Sequence, residues 1–211
     1  MQDRSAKEGD FIEVSASFTD PGVLDTHTAE LDWGDGVVSG ATISEGGGSG
    51  SVFARHAYGD NGLYTAKLTV RDDDGGATFS TFKVTIANAA PALAALPDLN
   101  TPEGGFIQLP PASFTDPGFD NPSGNTAENF TASVDWGDGT VEPAGDITLA
   151  EVPGREGVPT SGTIQARHAY GDNGVYTVRI TLQDDDGGMD SKTFPVNVTN
   201  IAPSVSVGSD T

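Results

Sequence analysis

Apolar and polar residues alternate along most of this chain with a period of two. In Tyr64-Thr65-Ala66-Lys67-Leu68-Thr69-Val70-Arg71-Asp72 the apolar side chains fall on even positions, with Thr, Lys and Arg between them. That is the pattern of a strand with one face buried. It recurs in Tyr176-Thr177-Val178-Arg179-Ile180-Thr181-Leu182-Gln183-Asp184. Shorter versions run through Ile12/Val14/Ala16/Phe18, Ala29/Leu31/Trp33, Phe82/Val84/Ile86, Ala132/Val134/Trp136 and Phe194/Val196/Val198. Helix-period segments are absent. Clusters of Gly, Pro, Asp and Asn separate the runs, so the pattern predicts short antiparallel strands packed as β-sandwiches. Pro110 and Pro111 interrupt the run from Phe106 to Phe114, which predicts an edge or bulged strand there.

The strands come in two sets. Trp33-Gly34-Asp35-Gly36, Arg55-His56-Ala57-Tyr58-Gly59-Asp60-Asn61-Gly62 and Asp72-Asp73-Asp74-Gly75-Gly76 recur as Trp136 to Gly139, Arg167 to Gly174 and Asp184 to Gly188. One module is therefore written twice. The spacing between matching positions is 95 at Glu8-Gly9/Glu103-Gly104, 96 at Ser17 to Gly22/Ser113 to Gly118, 103 at the Trp, and 112 from Arg55/Arg167 onward. The second copy is thus longer by seven residues (103 minus 96) before Trp136 and by nine (112 minus 103) between Gly139 and Arg167. Such insertions belong in loops. Glu151 to Gly162, like Gly46-Gly47-Gly48-Ser49-Gly50 in the first copy, is expected to be a mobile hairpin tip. Asn88-Ala89-Ala90-Pro91 recurs as Asn200-Ile201-Ala202-Pro203, which reads as a junction motif. It divides the chain into modules at 1–88 and 89–200, with 201–211 as the start of a following module or a tail. The first copy lacks the Asn-x-x-Pro start of its twin, so its first strand is expected to be truncated and the chain to be a segment of a longer array.

Trp-Gly-Asp-Gly after a strand, His-x-Tyr before a Gly turn, and a Tyr-initiated alternating strand ending in Asp and an Asp/Gly hairpin together resemble the PKD (polycystic kidney disease) domain. The resemblance covers both modules nearly end to end. It implies an all-β chain of two tandem immunoglobulin-like, PKD-type antiparallel β-sandwiches. It also implies secreted or surface bacterial proteins, where such modules occur in tandem and as accessory units of proteases and polysaccharide-degrading enzymes. Trp33, Trp136, Tyr64 and Tyr176 are then expected in the cores.

Composition narrows the chemistry. Ten basic residues against 31 acidic ones give a net charge of −21, which repels nucleic acid and anionic membrane and attracts cations. With no Cys, disulfides and thiolate metal sites are excluded. No stretch of eighteen apolar residues occurs, so direct membrane insertion is not expected. His56 and His168 precede a Tyr in each copy and are expected to hydrogen-bond locally, while His27 has no twin. Without a Gly-x-Ser-x-Gly nucleophile or a zinc-ligand His pair, a non-catalytic chain is expected.

The acidic residues near the loops at one end of each module carry the remaining signal. Asp20 continues the inward series Ile12, Val14, Ala16, Phe18, and Asp72 continues Tyr64, Ala66, Leu68, Val70. Inward carboxylates this close need a cation, and hard oxygen ligands on loops suit calcium. The candidate ligands are Asp20, Asp72 and Asp74 in the first copy. In the second they are Asp116, Asp184 and Asp186, with Asp120 in reserve and Asn88 at the junction completing the shell. The resemblance adds that PKD-like modules of secreted bacterial enzymes hold calcium near such an N-terminal segment. An ion there would stiffen the connection between modules. The alternative is that Asp-Asp-Asp-Gly-Gly only supplies turn residues. Asp35, Asp60, Asp138 and Asp172 lie at the opposite end and are read as turn formers.

The expected role is therefore a calcium-stabilised structural spacer and adhesion or interaction unit of a large multidomain protein, extracellular or on the cell surface. As a monomeric fragment it would contact other modules of the same protein, and polysaccharide or extracellular protein, but not nucleic acid. The alternative is a carbohydrate- or protein-binding accessory module of a secreted hydrolase, which calls for an exposed aromatic row. Outward strand positions are mostly Thr, Lys, Arg, Ser and Asn, which favours the spacer. Homotypic adhesion through exposed edge strands is a third reading.

Overall fold

The computed structural model of the chain describes residues 1–142 and 147–206, so parts of the second enlarged hairpin and of the 201–211 segment lie outside the described residues. The first module contains β1 (Arg4–Lys7), β2 (Phe11–Thr19), β3 (His27–Asp32), β4 (Val38–Gly40), β5 (Thr42–Glu45), β6 (Ser49–Ala57), β7 (Gly62–Asp72) and β8 (Ala77–Ala87). One sheet runs β1-β8-β7-β3-β4 and the facing sheet β2-β6-β5. The second contains β9 (Ala92–Leu93), β10 (Leu99–Pro102), β11 (Phe106–Gln108), β12 (Ala112–Asp116), β13 (Phe130–Asp135), β14 (Val141–Glu142), β15 (Thr148–Val152), β16 (Thr160–Gln165), β17 (Arg167–Ala169), β18 (Gly174–Asp184) and β19 (Met189–Thr199). Its sheets run β10-β19-β18-β13-β14 on one face, and β15-β16-β12-β9 with β11-β17 on the other. Among the described residues no helix is long and apolar enough to cross a membrane.

The alternation places one side of each strand in a core. On β7, Ala66, Leu68 and Val70 are buried, and on β18, Val178, Ile180 and Leu182. Trp33 and Trp136 are fully buried at the two core centres. Each makes an edge contact at 6.4 Å with a fully buried Tyr, Tyr58 and Tyr170. The Tyr hydroxyls donate to the Trp33 and Trp136 carbonyls at 2.8 and 3.0 Å. These bonds keep two buried polar groups satisfied. The core Tyr is thus the one in His-x-Tyr. Tyr64 and Tyr176 are only half-buried: they start β7 and β18 at a module end, stack on Tyr58 and Tyr170 at 4.5 and 4.3 Å, and donate to the Asp60 and Asp172 carbonyls.

Two other expectations change. Each sandwich contains one parallel pair, β1 with β8 and β10 with β19, in an otherwise antiparallel framework. The Pro110-Pro111 segment breaks its strand outright. Proline has no N–H to give to a ladder, so β11 pairs with β17, β12 pairs with β16, and the Leu109 N–H donates to the Ala166 carbonyl between them. β12 then lies inside its sheet, between β16 and β9, rather than at an edge.

Both insertions of the second copy pack against the first copy. In the longer loop before β13, the Phe119 N–H donates to the Gly59 carbonyl at 2.9 Å. Asn121 Nδ2 in the same loop donates to the Asp35 carbonyl and Oδ2 at 3.0 and 3.1 Å. From the enlarged β15–β16 hairpin, Glu156 Oε1 accepts from the Ala57 N–H at 3.0 Å and lies 3.1 Å from His56 Nδ1. The described part of Glu151 to Gly162, expected as a mobile tip, is therefore anchored on the other module. His56 also differs from the local bond expected of it: its Nε2 lies 2.7 Å from Asp35 Oδ2, so it links the Trp-Gly-Asp-Gly turn to the second module.

Candidate metal centre

Where the modules meet, acidic side chains from both converge. Glu8 follows β1 in a turn whose Gly9 has φ +76° and packs against Pro117, a position where a Cβ would collide with the Pro117 carbonyl. The turn aims Glu8 into the junction, 1% exposed, with Oε1 accepting the Ala89 N–H at 2.7 Å. Asp116 ends β12 with no exposed surface, and its Oδ1 accepts the Gly118 N–H at 2.7 Å. Glu128, 5% exposed, comes from the end of the inserted loop and is positioned by its N–H donating to Asp120 Oδ1 at 3.0 Å. Its carboxylate lies so close over Gly118 that any Cβ there would collide with it. Asp184 ends β18, 4% exposed; Asn88 Nδ2 donates to both its oxygens at 3.2 and 3.1 Å, and the Gly188 N–H to Oδ1 at 2.7 Å.

The carboxylates of Glu8, Asp116 and Glu128 offer oxygens all within 4.8 Å of one another. Those of Glu8, Asp60 and Asp186 do the same. That separation is about twice a calcium–oxygen bond of roughly 2.4 Å. Glu8 Oε2, Asp116 Oδ2 and Asn88 Oδ1 are buried and have no hydrogen-bond partner among the described residues. Such groups are rare in folded proteins because each carries an uncompensated desolvation penalty.

The electrostatics show the same deficit. Burial, reinforced by Asp116 and Glu8, pushes Glu128 up to about 9. Burial raises Glu8 to about 7 against the Ala89 hydrogen bond, with Asp116, Asp186 and Asp184 adding to the rise. Burial likewise holds Asp116 at about 6, opposed by the Gly118 N–H and supported by Asp184. Asp60 is raised by burial and by direct contact with Asp186. Among the described residues no lysine or arginine forms a salt bridge with any of these carboxylates.

Of the residues singled out from the sequence, Asn88, Asp116, Asp184 and Asp186 thus lie together at this junction, and Asp120 supports Glu128 from behind. Glu8, Glu128 and Asp60 were not among them. Each has an acidic counterpart in the other copy, at Glu103, Asp25 and Asp172, which is the signal that marks them. At the far end of the first module, Asp20, Asp25 and Asp72 bring oxygens within 4.8 Å of one another, all half-buried, while Asp74 is exposed and outside the set. There His27 intervenes, with Nε2 3.3 Å from Asp20 Oδ2 and Nδ1 2.7 Å from Glu45 Oε2. The Gly22 N–H and then His27 hold Asp20 below the usual carboxylate range.

The PKD domain model matches residues 1–86. The PKD domain of an M14-like peptidase from Thermoplasmatales archaeon SCGC AB-540-F20 covers 53% of this chain and 98% of its own, at 22% identity and a TM-score of 0.35. A titin tandem of immunoglobulin domains covers 95% of this chain and 94% of its own, at 11% identity and a TM-score of 0.38. The cadherin-like domains of zebrafish RET cover 84% of this chain and 42% of their own, at 10% identity and a TM-score of 0.38. Residues 1–86 are thus similar to the PKD domain, and the two modules share sheet order, so the chain is two immunoglobulin-like β-sandwiches in tandem.

Proposed function

We propose that this chain is a non-catalytic extracellular spacer and interaction unit whose two modules are fastened by a divalent cation, with calcium as the ion. The observation that carries the reading is the pair of buried, unpartnered carboxylate oxygens Glu8 Oε2 and Asp116 Oδ2, one from each module, facing Glu128. A cation would replace the missing partners and offset the burial and mutual repulsion that raise the Glu8, Asp116 and Glu128 carboxyls. The donors are carboxylates and the Asn88 amide oxygen, with no sulfur or imidazole, which suits a hard ion of high coordination number. Glu8 and Asp116 would ligate from opposite sides of the seam, with Glu128, Asn88 and Asp184 completing the shell. The ion supplies charge neutralisation, and the residues supply the link across the junction.

The spacer reading is also supported by the sandwich faces. Of the exposed phenylalanines, Phe11, Phe79 and Phe106 lie under Arg55, Lys67 and Arg167 at 4.3, 4.7 and 5.6 Å. Rings covered in this way make a poor platform for stacking sugars. Thermal unfolding in calcium and in chelator tests the proposal. An ion bound only to the folded state stabilises by about 2.7 kcal/mol at a hundredfold excess over its dissociation constant. The midpoint should rise with calcium, and Asp116→Asn should remove most of the rise. Superimposable curves for the wild type with and without calcium would reduce the Asp loops to turn chemistry.

A further inference from the structure

The junction holds more negative charge than one divalent ion can offset. Glu8, Asp60, Asp116, Glu128, Asp184 and Asp186 form a group spanning both modules, and among the described residues none of them is in a salt bridge with a lysine or arginine. A single divalent cation would leave four formal negative charges. Two would leave two, spread over the partly exposed edge.

The oxygens also fall into two sets rather than one. Glu8, Asp116 and Glu128 close one ring, and Glu8, Asp60 and Asp186 close another. Glu8 belongs to both. Only its Oε1 is used, by the Ala89 N–H, while Oε2 is buried at a residue 1% exposed and has no partner among the described residues. Asp60 and Asp186 bring carboxylate oxygens within 4.8 Å of each other across the seam, an arrangement whose like charges a shared proton or a cation would relieve. Asp60 is placed by the first module: its carbonyl accepts the Tyr64 hydroxyl at 2.9 Å, and the neighbouring Gly59 carbonyl accepts the Phe119 N–H. Asp186 is placed by the Asp/Gly hairpin after β18.

We infer that the junction is a two-cation centre in which Glu8 bridges an inner ion, held with Asp116 and Glu128, and an outer ion, held with Asp60 and Asp186. This rests on the junction-cation reading above and extends it. The outer ion has two of its three carboxylates, Glu8 and Asp60, on the first module, and the inner ion has two of three, Asp116 and Glu128, on the second. Each module thus supplies most of one ion's ligands and part of the other's. The outer ion adds a second link across the seam, nearer solvent, and exchanges more readily than the inner one.

Native mass spectrometry of the whole chain across a calcium titration tests this by counting ions, with circular dichroism confirming that each variant is folded. Asp60→Asn should bind one calcium fewer than the wild type, and Asp116→Asn should also lose one. Ions held at the Asp20, Asp25 and Asp72 set are common to all the proteins and cancel in the difference. A folded Asp60→Asn with undiminished stoichiometry, alongside an Asp116→Asn that loses one ion, overturns the outer site and leaves the single-ion junction standing. Undiminished stoichiometry in both variants overturns both readings.

Discussion

Asp20, Asp25 and Asp72 at the open end of the first module correspond to Asp116, Glu128 and Asp184 at the junction end of the second, yet the two sets behave differently. The first set is half-buried, open to solvent, and has His27 beside Asp20. The second is nearly sealed from solvent because another module sits on it, and Phe130 occupies the position that matches His27. The same loop chemistry is therefore a solvated acidic turn in one place and an uncompensated buried cluster in the other. What converts one into the other is coverage: Glu8 and the Ala89 backbone close over the second set, and the seven- and nine-residue insertions hold the cover in place. The proposed cation site therefore belongs to the pair of modules rather than to either one.

This contrast can be broken or sharpened experimentally. The largest expected effect is on pH dependence in chelator. Glu8 and Glu128 have folded-state values raised to about 7 and about 9 from an ordinary 4.5, so the folded protein keeps protons that the unfolded chain releases. That contribution is full below about 4.5 and is lost as pH rises through about 9, a fall on the order of a few kcal/mol. With saturating calcium the ligands are ionised in the folded state, so the slope should vanish over the same interval and stability should be lost only as pH falls below about 4.5. Melting curves across pH with and without calcium read this directly. A shared slope would show that the cluster does not sense the ion.

Glu128→Gln should change sign with condition. In chelator it removes an ionisable group from a dry site and should stabilise the second module by about 1–3 kcal/mol; in calcium it removes a ligand and should destabilise by a similar amount. Chemical denaturation in the two buffers separates these outcomes. Glu156→Ala, in the anchored hairpin, should leave both sandwiches folded while weakening their coupling by about 1 kcal/mol, since its side chain is 45% exposed. The check is whether the two modules begin to melt separately. Asp25→Asn, the open-end counterpart of Glu128, should produce no measurable change in the melting midpoint under either condition.

Much of this arrangement was legible in the chain. Alternation in β7 and β18 placed their inward faces, the doubled Trp-Gly-Asp-Gly marked the repeat, and the parity of Asp20 and Asp72 turned them inward, with Asp116 and Asp184 as their counterparts in the second copy. What stayed hidden depended on contacts between modules, which no local pattern encodes. Asp60 reads as a turn residue in Tyr-Gly-Asp-Asn-Gly and is one, but that turn also faces Asp186 of the other module. Glu8 stands out in the sequence only as the repeat counterpart of Glu103, because nothing in its neighbourhood announces Ala89 and Pro117. The enlarged hairpin reads as a free tip because Glu156 finds its partners at Ala57 and His56, about a hundred residues away in sequence. Tyr64 reads as core from its position at a strand start, whereas the fully buried ring is Tyr58, which contacts both Tyr64 and Trp33.

The central claim is that a residue of the first module completes a cation site of the second, and Glu8→Gln tests it most directly. Calcium should raise the melting midpoint of the wild-type second module and raise that of Glu8→Gln far less, with both proteins folded in chelator. An equal calcium-induced rise in the two would contradict the account, because the ion would then belong to the second module alone.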